Sequence, residues 1–213
     1  MTLTSRGTTL LILQLLPAAA WCQAPQLDDL LKQLTREPPA TTPFVEAHFS
    51  RLLSRPLIVS GELAYLGPDA LGRTVQAPYR EHTEIHGETV TVEREGDKPR
   101  KFSLQRAPEL RSLLSSFSSL LGGNRAGLEQ QFDIDLKGDQ KQWTLTLTPR
   151  NARVRERVHA IVVDGGGAEP RCLTTTQPND NTTITLLGPT AQKPLPPMPD
   201  RAWLEEQCHG GQR

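Results

Sequence analysis

The densest group of chemically capable side chains is His82-Thr83-Glu84-Ile85-His86. In an extended segment, residues 82, 84 and 86 share one face, so two imidazoles and a carboxylate are offered together. The chemistry this suggests is metal ligation. The spacing argues against it: His82 and His86 would lie roughly 13 Å apart at about 3.3 Å per residue, and metal–imidazole bonds are only about 2 Å long. A helical zinc motif would need Glu directly after the first His, where Thr83 stands. The segment therefore reads as the solvated face of a strand. His48, His159 and His209 are isolated and carry no catalytic assignment. The chain has no G-x-S-x-G elbow, P-loop or dinucleotide fingerprint. Neither enzymatic activity, nor a cofactor, nor a metal is indicated.

The remaining candidates are apolar faces and a pair of cysteines. Leu27, Leu30, Leu31 and Leu34 recur at helical spacing, with Asp28 and Asp29 in the first turn where the helix dipole favours them. Leu110, Leu113, Leu114, Phe117 and Leu121 form a second helical face, opened by Pro108 and closed by Gly122-Gly123. Its back is serine-rich (Ser112, Ser115, Ser116, Ser118 and Ser119), as suits a solvent-facing lid. These leucines and Phe117 suit either an ordinary core or the lining of a cavity for an acyl chain. Periodicity does not separate the two.

The first 22 residues read as a secretory signal: Arg6, then an apolar run over 10–20, then small residues Ala18 to Ala20. Cleavage falls between Ala20 and Cys22. Lipidation of Cys22 is the rival, opposed by Trp21 at a position that needs a small residue. Export implies an oxidising compartment. If Cys22 leaves with the signal, Cys172 and Cys208 remain as an even pair, expected to form a disulfide that pins the polar tail 200–213 to the body.

The elements that must position these residues are mostly strands. Candidates cover 44–53, 57–66, 72–77, 79–85, 89–92 and 100–106, punctuated by Gly67-Pro68-Asp69, His86-Gly87-Glu88 and Glu95-Gly96-Asp97. A short helical piece covers 125–130. The clearest hairpin follows: Phe132, Ile134 and Leu136 alternate with acids, Gly138-Asp139 turns, and Trp143, Leu145 and Leu147 alternate with threonines. Further strands cover 158–163, 171–176 and 182–187, and 192–199 is Pro-rich and extended. One helix, a run of strands, a helix and a second run of strands argue for antiparallel pairing. The expected fold is mainly β: one strongly curved antiparallel sheet with two or three helices over its concave face.

Composition narrows the function classes. The 213 residues hold 24 Lys+Arg and 24 Asp+Glu, a formal net charge of zero, with no basic run to suggest nucleic acid. No run after the leader approaches the roughly 20 apolar residues that span a bilayer.

The order of elements and several local motifs resemble the periplasmic outer-membrane lipoprotein carrier family, LolA-like, of which this chain would be a divergent member. The segments that carry the resemblance are the helix over 27–35, Phe44-Val45-Glu46-Ala47-His48-Phe49, Ser60-Gly61-Glu62-Leu63, Gly67-Pro68-Asp69-Ala70-Leu71, the helix over 108–121, Trp143 to Arg150 with its Leu-Thr-Pro-Arg end, and 158–163. The resemblance implies an incomplete antiparallel β-barrel of about eleven strands over 25–190, followed by a Pro-rich tail over 191–213. It implies a periplasmic carrier that shields acyl chains of a lipoprotein or other lipid, including polyene or fatty-acyl products, between an inner-membrane donor complex and an outer-membrane acceptor. A monomer is expected. A regulatory, ligand-sensing module of the same fold is the alternative. The cavity lining would then comprise Leu30, Leu34, Leu63, Tyr65, Leu110, Leu113, Leu114, Phe117, Phe132, Ile134, Trp143, Leu145 and Leu147. The physical need is large: exposing a chain of about 16 carbons costs on the order of 12 kcal/mol. One departure stands out: the family pattern places an Arg before the turn proline, where it helps hold the lid, and if Pro68 is that proline this chain has Gly67 there; Arg55-Pro56 offers an Arg-Pro pair, but aligning it would displace Ser60–Leu63.

Overall fold

A computed structural model describes residues 26–106 and 108–210; the side chains of 108–110, 112, 113, 116 and 117 are not included. The expected signal segment therefore lies outside the described residues. Among the described residues five α-helices and eleven strands run in the order α1 Leu27–Leu34, β1 Ala40–Phe49, β2 Leu57–Gly67, β3 Ala70–Ala77, β4 Glu81–His86, β5 Thr89–Arg94, β6 Arg100–Ser103, α2 Pro108–Leu121, α3 Arg125–Gln131, β7 Phe132–Gly138, β8 Trp143–Pro149, α4 Ala152–Arg155, β9 Ala160–Gly166, β10 Glu169–Thr176, β11 Thr182–Leu187 and α5 Arg201–Cys208.

All eleven strands form one sheet in the order β6-β5-β4-β3-β2-β1-β11-β10-β9-β8-β7. Every neighbouring pair is antiparallel. Two meanders are thus sewn together where β1 meets β11, with Phe44 opposite Leu187 and Phe49 opposite Thr182. β6 and β7 lie at the two free edges, so the sheet is a curved, incomplete barrel rather than a closed one.

Side-chain alternation assigns the two faces. Phe44, Val59 and Val75 point to the same side as Leu145, Leu147, Ile161 and Val163, because cross-strand partners share a face. This inner face receives α1, α2 and α3. Leu30, Leu31 and Leu34 of α1 and Leu128 of α3 pack on Phe132, Trp143, Leu145 and Leu147. Leu114 of α2 packs on Ile85 and Val90 at the other wing.

The outer face is covered too, over β1, β11 and β10. Val45, Ala47, Ile184, Leu186 and Cys172 pack there against Leu204 and Cys208 of α5. This helix sits just past the Pro-rich segment and its periodicity does not announce it. Asp200 starts it, accepting from the Trp203 N–H at 2.7 Å. The Cys172–Cys208 disulfide ties its last turn to β10, with the Cα atoms 5.2 Å apart.

Three other elements depart from expectation. The first strand begins at Ala40 and ends at Phe49, so Leu52 and Leu53 fall in the hairpin loop, where the Leu53 N–H donates to the Ser50 carbonyl at 3.0 Å. The stretch 104–106 is a 3-10 turn rather than strand. The one-turn helix α4, capped by Asn151, precedes β9.

Candidate functional site

The apolar residues predicted from sequence are spread over the inner face and the helices that cover it. Leu30, Leu34, Phe132, Trp143, Leu145 and Leu147 form one cluster with Ile134 at its margin, and each of the six is at most 3% exposed. Leu63 borders the central cluster of Phe44, Val59, Val75 and Leu187. Tyr65 is buried below the C-terminal end of α2, beside Gly122. Leu114 belongs to the β4–β5 wing. Leu110, Leu113 and Phe117 lie on α2, but their side chains are outside the described residues. In this closed arrangement the β7–β9 wing is sealed by α1 and α3. An acyl chain would reach those side chains only if the helices moved away.

The cover is fastened by polar contacts near its ends. The Arg36 backbone N–H donates to the Leu121 carbonyl at 3.0 Å, joining the end of α1 to that of α2. Its side chain donates to the Ala168 carbonyl in the β9–β10 turn at 2.6 Å. Arg125 of α3 reaches Asp28 of α1 at 2.9 Å. Arg111 of α2 pairs with Glu88 in the β4–β5 turn. The serine-rich back of α2 is not uniformly wet: Ser119 is buried, and the Ser118 hydroxyl is buried without a hydrogen-bond partner among the described residues.

The sheet floor between the wings carries a charged network that sequence reasoning missed. Glu46 Oε1 accepts from Arg73 at 2.7 Å and lies 2.8 Å from His48 Nε2, and Glu46 Oε2 accepts from the Thr185 hydroxyl at 3.2 Å. Burial alone would raise the Glu46 pKa, but the His48 hydrogen bond and the Arg73 charge outweigh it and hold the carboxyl below its ordinary value. His48 Nδ1 is 3.0 Å from the Thr183 hydroxyl. Arg73 also lies 4.9 Å over the Phe44 ring. Glu81 stands 4.0 Å from both Arg73 and Arg94, and Arg94 covers Tyr79 at 4.2 Å. The available signal was period 2 in β1: Phe44, Glu46 and His48 share one face. Nothing in that strand says which face is inner, because Val45, Ala47 and Phe49 on the other face are also covered.

The His82-Glu84-His86 set lies on the outer face. His86 Nε2 is 2.6 Å from Glu84 Oε1 and His82 Nε2 is 3.8 Å from Glu84 Oε2, with all three side chains well exposed. Among the described residues no group of His, Cys, Asp and Glu is arranged to hold a metal ion. No described helix is long and apolar enough to cross a membrane.

Solved structures to which the chain is similar include a LolA superfamily protein from Nitrosomonas europaea, at 10% identity and a TM-score of 0.42, covering 81% of this chain and 96% of that one. The MucA/MucB complex of Pseudomonas aeruginosa matches at 13% identity and a TM-score of 0.38, covering 84% of this chain and 60% of that one. LprF from Mycobacterium bovis matches at 10% identity and a TM-score of 0.33, covering 84% and 99%. No curated protein matches. The family model described as "Outer membrane lipoprotein carrier protein LolA-like" matches residues 19–211. The chain belongs to the LolA-like family of outer-membrane lipoprotein carrier proteins.

Proposed function

We propose that this protein is a periplasmic carrier that shields the acyl chains of a lipoprotein or other lipid on the way from a donor at the inner membrane to an acceptor at the outer membrane. It acts by binding rather than by bond chemistry, and it works as a monomer. One observation carries the reading: α1, α2 and α3 cover one face of an open antiparallel sheet through an apolar surface, while polar contacts fasten them near their ends. Such a cover can lift as a unit. Lifting exposes leucines on the helices and on the sheet, and an acyl chain would then pack between them. Each buried methylene is worth about 0.8 kcal/mol, so a lipid tail compensates for the opened core where water does not.

The test is mass spectrometry of the organic extract of protein purified from periplasm, paired with displacement of a fluorescent fatty acid. Co-purified acylated molecules and saturable displacement are expected. A clean extract together with no probe binding would overturn the reading.

A further inference from the structure

The antiparallel meander sorts the loops to two ends of the sheet, and the two ends differ in charge. The connections 50–56, 78–80, 95–99, 150–159 and 177–181 lie at one end, where β1, β3, β5, β8 and β10 finish. They hold twice as many basic as acidic residues. The β8–β9 connection alone supplies Arg150, Arg153, Arg155 and Arg157, all exposed. The opposite end holds the turns 68–69, 87–88, 139–142 and 167–168, which carry Asp69, Glu88 and Asp139 against Lys141. Arg36 and Arg111 also reach this end, on the Ala168 carbonyl and Glu88, so its charge is close to balanced and the basic excess of the loops is gathered at the first end.

The basic end also bears an exposed apolar tip. In the β1–β2 hairpin Leu52 is 94% exposed, Leu53 46% and Leu57 43%. Arg51 and Arg55 flank the leucine pair, and Arg51 pairs with Asp180 of the neighbouring loop, which steadies the hairpin. Two adjacent leucines held in water, bracketed by guanidinium groups, match a membrane interface: the apolar tip enters the headgroup–acyl boundary and the charges meet lipid phosphates. The charged floor lies towards this same end, since Glu46 and His48 are near the finish of β1, Glu81 opens β4 and Arg94 closes β5.

We infer that the basic end is a docking surface for an anionic lipid bilayer, with Leu52 and Leu53 as its inserting tip. Docking there stands the strands upright on the membrane and turns the part of the inner face nearest Glu46 and Arg94 towards the lipid. This surface does not depend on the carrier reading, because the hairpin lies outside the apolar clusters beneath the helices.

The experiment is co-sedimentation of the purified protein with vesicles of phosphatidylcholine alone or with phosphatidylglycerol added. Binding to the anionic vesicles is expected, weakening as salt rises. The double variant Leu52→Ser/Leu53→Ser should bind about tenfold more weakly, or worse. Arg55→Gln/Arg153→Gln should lose about fivefold per arginine on anionic vesicles and nothing on neutral ones. Because these side chains are exposed, both variants should keep the wild-type melting temperature and fatty-acid displacement. Equal binding of the wild type to both vesicle types, or binding that neither double variant weakens, would overturn the inference. So would protease-sensitive capture by membranes with no binding to protein-free vesicles, which would assign the tip to a protein partner. Loss of displacement with vesicle binding intact would overturn the carrier reading and leave the docking surface standing.

Discussion

Arg73 reaches across β2 to donate to Glu46 at 2.7 Å, two strands away on the same face. Gly61 is the β2 residue that faces Phe44 between them, at a bulge in the β2–β3 ladder. A Cβ at Gly61 would meet the Thr74 carbonyl oxygen at 1.8 Å, so no larger residue fits without moving β3. The pair is partly desolvated, with Glu46 16% and Arg73 28% exposed at the side chain. Removing Arg73 leaves a half-neutralised carboxylate on the floor. Arg73→Met is therefore expected to cost about 2 kcal/mol at neutral pH and to raise the Glu46 pKa. The sign for the wild type follows from a folded pKa that is depressed. The stabilisation is fully present above the unfolded value of 4.5 and is lost as pH falls through the lower folded value. Urea denaturation of the wild type and Glu46→Gln across that acid range should show the slope in the wild type and a flatter profile in the variant.

The bond between Cys172 and Cys208 closes a sequence separation of 36. On the chain-entropy view a loop of that size is worth about 3–4 kcal/mol. Cys208→Ser should lower stability by about that amount. It should also free α5 from Ile184, Leu186 and Ala47, the residues it covers. Denaturant melts with and without reductant check this. The wild type should fall to the level of the variant when reduced, and the variant should not respond.

The strand order was largely legible because each hairpin carries its own turn residues and period-2 alternation. Phe132 to Leu147 is the clearest case, since its outer face is nearly all Asp, Lys and Thr. The β1–β2 hairpin was harder: Leu52 and Leu53 continue an apolar pattern that the structure ends at Phe49, because the turn built on Ser50 peels them away from the sheet. α5 was hidden because a helix packed through Leu204 and Cys208 shows too few apolar repeats to register. The apolar face of α1 was legible as a face, and Leu114 of α2 as an inward residue, but whether they fill a core or line a hollow depends on how closely the helices approach the sheet. The charged floor was illegible because both faces of β1 are covered, so alternation loses its usual meaning there.

Trp143 lies on Gly165 in the paired strand, and its indole N–H donates to the Gly167 carbonyl at 3.0 Å. A Cβ at Gly165 would stand 2.2 Å from Trp143 Cζ2 and 2.7 Å from the Glu169 carbonyl oxygen. The ring has nowhere to retreat, because Trp143 is 1% exposed. Gly165→Ala should therefore cost about 1–3 kcal/mol. Its checks are a denaturant melt and Trp143 fluorescence, which should shift to the red as the indole loses its packing. An unchanged spectrum would mean that the β9–β10 turn moves instead of the ring.

The lid fastenings give the most direct handle on exchange. Arg36 and Arg125 hold α1 to the β9–β10 turn and to α3 through exposed contacts at 2.6 and 2.9 Å. Such exposed contacts add little to global stability, while the leucines beneath supply most of the closed-state stability. The variant Arg36→Ala/Arg125→Ala should lose little in global unfolding, yet populate the lifted cover more. Stopped-flow uptake of a fluorescent fatty acid should then quicken by about fivefold to tenfold. In contrast, Leu147→Ala removes a side chain from the sealed wing and should cost about 2–5 kcal/mol with no comparable rise in the uptake rate per folded molecule. If the arginine variant melted lower and took up probe no faster, α1 and α3 would be fixed parts of the core, and any opening would have to come from α2.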